Sequence, residues 1–597
     1  MPQEFSRTAR LFTALAGFMV LAACGGGGGS IDTGNPGGGN PPPGGGTNIT
    51  ISGRITFDRL QFQPTVGQGL NAANPVESPA REVVVEAVAN GSTVASTTTD
   101  ANGDYSFSVP ANTNMSIRAR ARMEKTGAAP TWSFTIRNNT NSDAVYALQG
   151  DTFNSGAVNL TRNLRATSGW GGTSYTGTRA AAPFAILDTV YRTKQLILGA
   201  APAAQFPELN LYWSDQNRPD DGSVTWRFCP DTGDIGTSFY FRDPSGTATD
   251  DCTQATPLPA GIYILGAFAT NGDTDEFDQH VIAHEFGHYF EDRFSRSDSI
   301  GGQHGGGDQL DLRVAFGEGW GNAFGAMALG DPQYRDSSRG ISQDGGFNLE
   351  SDDGAPEGWF SEFSVGEILW DIFDTAAEPG DTVTLGFAPI YSVMAGPQVD
   401  TDALTSIFSF ASALRSANGS SSGAIQNLLD NEDINGTGAF GTSETNGGTD
   451  PGFANAGVYR DIFVGTPIPE ICTTSSASGN DGNKLGNRRF LRFQKNTAGS
   501  VNILATGVTG SLLGSGMAED PDILVHVRGI PQSFGTGNDG LPIGQSGESR
   551  RESMTVVLAA GTYVLEVYDF QTIDPEVRPQ DRPTTPRCMT LSISGTP

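Results

Sequence analysis

The residues with the plainest chemistry stand in Asp278-Gln279-His280-Val281-Ile282-Ala283-His284-Glu285-Phe286-Gly287-His288. His284 and His288 are four residues apart, so on a helix their imidazoles share one face and can reach a single Zn²⁺. Glu285 follows the first of them and points beside the metal, where it can take a proton from water activated by the zinc. Phe277, Val281, Ile282, Phe286, Tyr289 and Phe290 supply that helix with buried sides. Asp273-Thr274-Asp275-Glu276 precede it; Thr274 or Asp275 is placed to cap it, and carboxylates suit the positive end of a helix. His280 lies one turn earlier, too far along to join His288 on one ion, so a supporting role is expected for it.

A zinc hydrolase needs a third protein ligand and an open fourth position. A histidine ten residues after His284 would fall at position 294, which is Phe294. The next candidate is Glu318, in the apolar stretch Ala315-Phe316-Gly317-Glu318-Gly319-Trp320-Gly321-Asn322-Ala323-Phe324. Gly317, Gly321 and Gly325 recur every fourth residue. On a helix they form a flat face that can pack closely against the zinc helix, where Gly287 is also small, and so aim Glu318 at the metal.

The elements that must hold these residues are spread over 597 residues, a length that predicts several domains. With 79 glycines and 37% hydrophobic residues, the chain reads as β-strands and loops with few long helices. A formal net charge of −30 argues against nucleic-acid partners and suits an exported protein.

Residues 1–24 read as an export signal: Arg7 and Arg10, then a short apolar run ending in Leu21-Ala22-Ala23-Cys24. That ending resembles a bacterial lipobox, which implies cleavage before Cys24 and lipidation of it. Gly25 after the cysteine disfavours inner-membrane retention, so the outer membrane or cell surface is expected. Residues 25–47 are a Gly/Pro-rich tether. Membrane attachment is expected through the lipid only, on a monomeric protein. The remaining cysteines pair naturally within proposed domains, as Cys229–Cys252 and Cys472–Cys588.

Residues 48–165 read as a β-domain, with Glu82–Val88 a β-branched run and Asp100-Ala101-Asn102-Gly103-Asp104 a turn between strands. The segment resembles the transthyretin-like sandwich of carboxypeptidase regulatory-like modules. Asp100, Asn102 and Asp104 could hold Ca²⁺, although a plain turn is the favoured expectation. A catalytic domain is expected over 168–465, opening with a helix across Phe184–Leu198. Gly261–Gly266 is expected to be the sheet edge beside the cleft, able to bind an extended peptide. Asn431–Gly436 resembles a Ca²⁺ loop weakly, lacking the glutamate at its twelfth position. Residues 466–597 alternate as strands and resemble the prepeptidase C-terminal β-sandwich of secreted bacterial peptidases, in which Gly561-Thr562-Tyr563 would mark the turn into the last hairpin.

Taken together, His284-Glu285-Phe286-Gly287-His288, Gly317-Glu318-Gly319-Trp320 and Val365-Gly366-Glu367-Ile368-Leu369-Trp370 resemble the fungalysin family and the wider gluzincin (thermolysin-type) metallopeptidases. The resemblance implies a multidomain chain whose α+β gluzincin domain is flanked by two β-sandwiches, with Glu318 as third zinc ligand. It also brings departures. Asn322 stands where the family has an aspartate supporting a ligand imidazole. Phe363 stands where it has a histidine. If that histidine stabilises the oxyanion, His304 or Tyr391 is the candidate replacement, and His526 is expected to be structural and without a partner. The expected function is a cell-surface zinc endopeptidase acting on polypeptides, with Glu285 as general base. The competing expectations are a surface binding or adhesion lipoprotein and a zinc amidase acting on cell-wall peptides.

Overall fold

Apolar side chains alternate along Asn48–Arg59, so Ile49, Ile51, Ile55 and Phe57 all enter a core. That strand pairs antiparallel with Asp104–Pro110 and parallel with Leu164–Ala166, as the heart of a five-stranded sheet. The computed structural model describes residues 47–222, 226–242, 258–269, 272–351, 355–375, 381–475, 482–508, 519–532, 550–573, 582–583 and 585–597. The export signal, Cys24, all but the last residue of the tether, and Cys252 lie outside the described residues.

The second sheet has ten strands. Its main path runs Phe239–Phe241, Gly261–Ile264, Leu209–Trp213, Trp132–Asn138, Asn114–Lys125, Val83–Ala89 and Ser92–Thr98. The join between Trp132–Asn138 and Leu209–Trp213 is parallel and matches Phe134 with Leu209 and Ile136 with Leu211. All four are buried in the core shared with the first sheet. Hydrogen bonding therefore runs straight across the expected boundary at 165–168. The strand Gly261–Ile264 is buried throughout and flanked on both sides, so the expected edge at Gly261–Gly266 is corrected. The outer position belongs to Phe239–Phe241, which pairs antiparallel against it.

Helix α1 (Ala182–Ala200) buries Phe184, Ile186, Leu187, Val190 and Ile197. Its Asp188 carboxylate receives Arg59 from the first strand and Arg81 from the turn before Val83–Ala89, joining the N-terminal part to the helical region. Helices α2 (Gln279–Phe294), α3 (Leu312–Leu329) and α4 (Glu362–Phe373) follow. Helix α2 packs on α3, and α3 on α4. Asp278, not Thr274 or Asp275, is the residue that precedes the first turn of α2.

The C-terminal part is two sheets of five and four strands closing over Leu491, Phe493, Val501, Ile503, Val525 and Leu565. Cys472 and Cys588 are disulfide-bonded and directly opposed in register, linking the strands Ile468–Thr473 and Arg587–Gly595. The whole is multidomain, with β-rich parts around a helical region.

A buried ionic network binds the C-terminal sheets to α3. Arg313, in the first turn of α3, donates to Asp311 and, at 2.9 Å, to Glu566 of the strand Gly561–Asp569. Arg488 reaches the same carboxylate at 2.5 Å. His526, expected to have no partner, is 3.0 Å from Glu566 Oε2 through Nε2, which corrects that expectation. Strand pairing between Pro521–Val527 and Gly561–Asp569 places the two together, a proximity that linear sequence does not carry.

At Asp100–Asp104 the structure has a turn. Asp100 Oδ1 accepts from the Asn102 and Asp104 backbone N–H groups, and Asp104 pairs with Arg54 at 2.7 Å. Among the described residues no helix is long and apolar enough to cross a membrane.

Candidate metal centre

The glycines of α3 do what their spacing predicts. A Cβ on Gly287 would lie 3.1 Å from the Cα of Gly321, so α2 and α3 approach almost backbone to backbone. Gly325 faces the His280 carbonyl and the His284 amide. Trp320 locks the crossing by donating from Nε1 to the Gly287 carbonyl at 3.0 Å. Only small residues permit such a crossing, and it brings Glu318 under the two histidines.

His284 Nε2 and His288 Nε2 are 3.0 Å apart, and Glu318 Oε2 is 3.2 Å from the first and 3.3 Å from the second. Three ligand atoms at such separations fit around one Zn²⁺ at about 2.0–2.2 Å from each. His284 Nδ1 donates to Asn322 Oδ1 at 2.8 Å, so the Nε2 lone pair is directed at the other two donors.

Charge in the cluster is poised for a cation. Burial alone would raise the Glu318 carboxyl, but His288 and His304 outweigh it and hold Glu318 well below the usual carboxylate range. Burial likewise opposes a charge on His288, yet Glu318 prevails and pushes it up to about 9. Glu285 is buried beside them. Burial raises its pKa above the usual carboxylate range, and the neighbouring His284 and His288 pull partly in the other direction.

His304 reaches the same carboxylate. Its Nε2 is 3.3 Å from Glu318 Oε2 and 3.9 Å from Glu362 Oε2, while Nδ1 lies 3.1 Å from the Gly302 carbonyl. Burial lowers its pKa, but Glu318 and then Glu362 raise it to about 10. The glycine loop that carries it rests on Phe363: a Cβ on Gly306 would lie 2.3 Å from that ring. Phe363 also packs on Phe347, with centroids 4.5 Å apart. Tyr391, the other candidate, packs on Phe290 and Phe387 instead. Phe290 lies two residues beyond His288, on the other side of α2. His280 Nε2 meets the Asp331 carbonyl at 3.1 Å and stays outside the triad. Asn431–Gly436 is fastened by Glu444, whose carboxylate accepts from the Asn435 and Gly436 amides.

Two further carboxylates belong to this neighbourhood and were not anticipated. Glu362, which opens α4 directly after its cap Ser361, is buried beside His304. Glu291 is fully buried one turn beyond His288, where burial raises it to about 7. The signal for Glu291 was its three-residue spacing from His288; Glu362 had none, because α4 arrives from 44 residues further along the chain than Glu318.

No family profile matches the chain, and no curated protein does either. Among solved structures, the chain is similar to the precursor of protealysin, a metalloproteinase from Serratia proteamaculans. Identity there is 10%, covering 51% of this chain and 88% of that one, with a TM-score of 0.27. It is also similar to the pre-peptidase C-terminal domain of a collagenase from Bacillus anthracis, at 13% identity, over 23% of this chain and 94% of that one, with a TM-score of 0.15. CorA, a surface-associated copper-binding protein of Methylomicrobium album BG8, matches at 10% identity over 23% of this chain and 98% of that one, with a TM-score of 0.16.

Proposed function

We propose that this chain is a zinc-dependent endopeptidase of gluzincin type, held at the cell envelope by a lipid on Cys24. The observation that carries this is the meeting of His284 Nε2, His288 Nε2 and Glu318 Oε2 within 3.0–3.3 Å, with Glu285 buried alongside. Zn²⁺, when bound by these three residues, would polarise the scissile carbonyl and lower the pKa of water toward about 7. Glu285 accepts the proton of the attacking water and passes it to the leaving nitrogen; burial, which raises its pKa, makes it the stronger base for the first of these steps. His304 donates from Nε2 to the oxyanion, the task that Phe363 cannot perform. Among the described residues no strand pairs with the outer side of Phe239–Phe241, and an extended polypeptide would add there, since Tyr240 lies beside Glu285.

The test is metal content together with casein cleavage, with and without chelator, for wild type and Glu285→Gln. Wild type should carry one zinc and cleave casein until chelated, whereas the variant should keep its zinc and lose turnover. Full activity in Glu285→Gln would refute the mechanism. Zinc without turnover in the wild type would point to a binding protein, and cleavage of cell-wall peptides alone to an amidase.

A further inference from the structure

Four aspartates meet at the start of α2, away from the zinc ligands. Asp273 and Asp275 come from the loop before the helix, Asp278 is the residue preceding its first turn, and Asp336 comes from the short strand Asp336–Ser338. One carboxylate oxygen from each lies within 4.8 Å of the corresponding oxygen of every other. Asp275 and Asp278 are 2% and 0% exposed. Their second oxygens are occupied: Asp275 Oδ2 accepts from the Ser238 hydroxyl, and Asp278 Oδ2 accepts from the Ser337 amide at 2.6 Å.

The first oxygens are not. Oδ1 of Asp273, Asp275, Asp278 and Asp336 is in each case buried with no hydrogen-bond partner. Among the described residues, no Lys, Arg or His forms an ion pair with any of the four. The nearby arginines are spent elsewhere, Arg179 on Glu276 and Arg335 on Asp344. Burial of one uncompensated carboxylate is costly, and four facing one another compound the cost by repulsion. Burial, with repulsion from Asp273 added, pushes Asp336 up to about 8, and burial pushes Asp273 to about 6. A cation at the centre of the four would satisfy all of the unpartnered oxygens at once.

We infer that Asp273, Asp275, Asp278 and Asp336 form a binding site for a hard divalent cation, with Ca²⁺ as its natural occupant. All four donors are oxygens, which excludes a soft metal. A Ca²⁺ ion bonds 6–8 oxygens at 2.3–2.6 Å, so two on opposite sides of it stand about 4.8 Å apart. Mg²⁺ keeps several waters and uses one or two carboxylates, a poor match to four converging ones. The ion would tie three things together: the loop before α2, the start of α2 itself, and the hairpin Asp336–Ser338 with Gln343–Gly345. Tyr334 enters that hairpin with its ring 6.4 Å from His284, so the cation also steadies one wall of the metal centre.

The test uses the full chain, stripped with EDTA, dialysed and titrated with Ca²⁺ alone. Bound calcium is read by elemental analysis and the melting midpoint by scanning fluorimetry. Wild type should bind calcium at this site, and its midpoint should rise by about 5 °C or more at millimolar Ca²⁺. Asp275→Asn with Asp336→Asn should lose both effects. In EDTA it should melt at or above wild type, since two buried, mutually disfavoured acids are replaced by neutral amides; that outcome also shows the variant to be folded. His288→Ala should lose zinc and keep the calcium shift, which separates this site from the catalytic proposal. Wild type that takes up no calcium would overturn the inference. So would a double variant whose uptake and midpoint shift match wild type.

Discussion

Replacing Gly321 with alanine tests whether the crossing of α2 and α3 sets the metal geometry. A Cβ at Gly321 would stand 2.7 Å from Cε1 of His284 and 2.8 Å from both of its ring nitrogens. Carbon contacts settle at about 3.5–4.0 Å, so the imidazole must retreat by about 0.8 Å or more. A zinc ligand tolerates about 0.2 Å. Displacement of that size should weaken zinc binding at least as much as loss of a supporting hydrogen bond does, about 10–100-fold, or about 1.4–2.7 kcal/mol. Stability moves less. The alanine gains about 1 kcal/mol of helix propensity and costs about 1–3 kcal/mol by overpacking. The assay is zinc affinity by chelator competition, paired with circular dichroism to confirm folding. Gly325→Ala is the control: its added Cβ would be 3.5 Å from the nearest atoms, an ordinary contact, so its zinc affinity should be that of wild type. Equal zinc affinity in Gly321→Ala and wild type, both folded, would refute the argument that glycine is required there.

Two predictions concern the C-terminal part, beyond those already given for Glu285 and for the four aspartates. Glu566→Gln leaves Arg313 and Arg488 facing a neutral partner and should cost about 3–5 kcal/mol, measurable by urea unfolding. Burial would raise Glu566, but Arg313 and Arg488 hold it well below the ordinary value; its stabilisation is therefore complete above about pH 4.3 and is lost as pH falls toward its folded pKa. Acid unfolding curves of wild type and Glu566→Gln should thus begin to converge below about pH 4, and parallel curves would contradict this. Cys588→Ser opens a cross-link spanning 116 residues and should lower stability by about 2–5 kcal/mol, read as a lower midpoint in a melting scan; an unchanged midpoint would contradict this.

What the sequence carried most faithfully was local. His284, Glu285 and His288 share one helix whose period fixes their relation, and the four-residue rhythm of Gly317, Gly321 and Gly325 spans a single helix too. Glu318 was legible for that reason, although it comes from a different helix. The glycine loop around His304 was recognisable as something able to reach a cleft, and its histidine does reach Glu318. Features set by pairing of distant segments were not legible. The parallel join of Trp132–Asn138 with Leu209–Trp213 depends on register across more than 70 residues, and no local pattern distinguishes it from a domain boundary. The same holds for Glu566 with His526, and for Asp336 with the aspartates before α2. Asp273 and Asp275 looked like helix-capping charges; only the arrival of the Asp336 hairpin gives them another use.

That continuous sheet bears on how the protein could mature. A leader that is to be discarded after cutting must hold on by contacts that can be given up. Here the strand 132–138 is zipped in register to 209–213, their apolar faces lie in one undivided core, and Asp188 of α1 grips Arg59 and Arg81 from the other side. A protease that severed the connection between 166 and 182 would therefore nick the molecule without dividing it. The two pieces would travel as one particle, with the N-terminal strands still joined to the helical region.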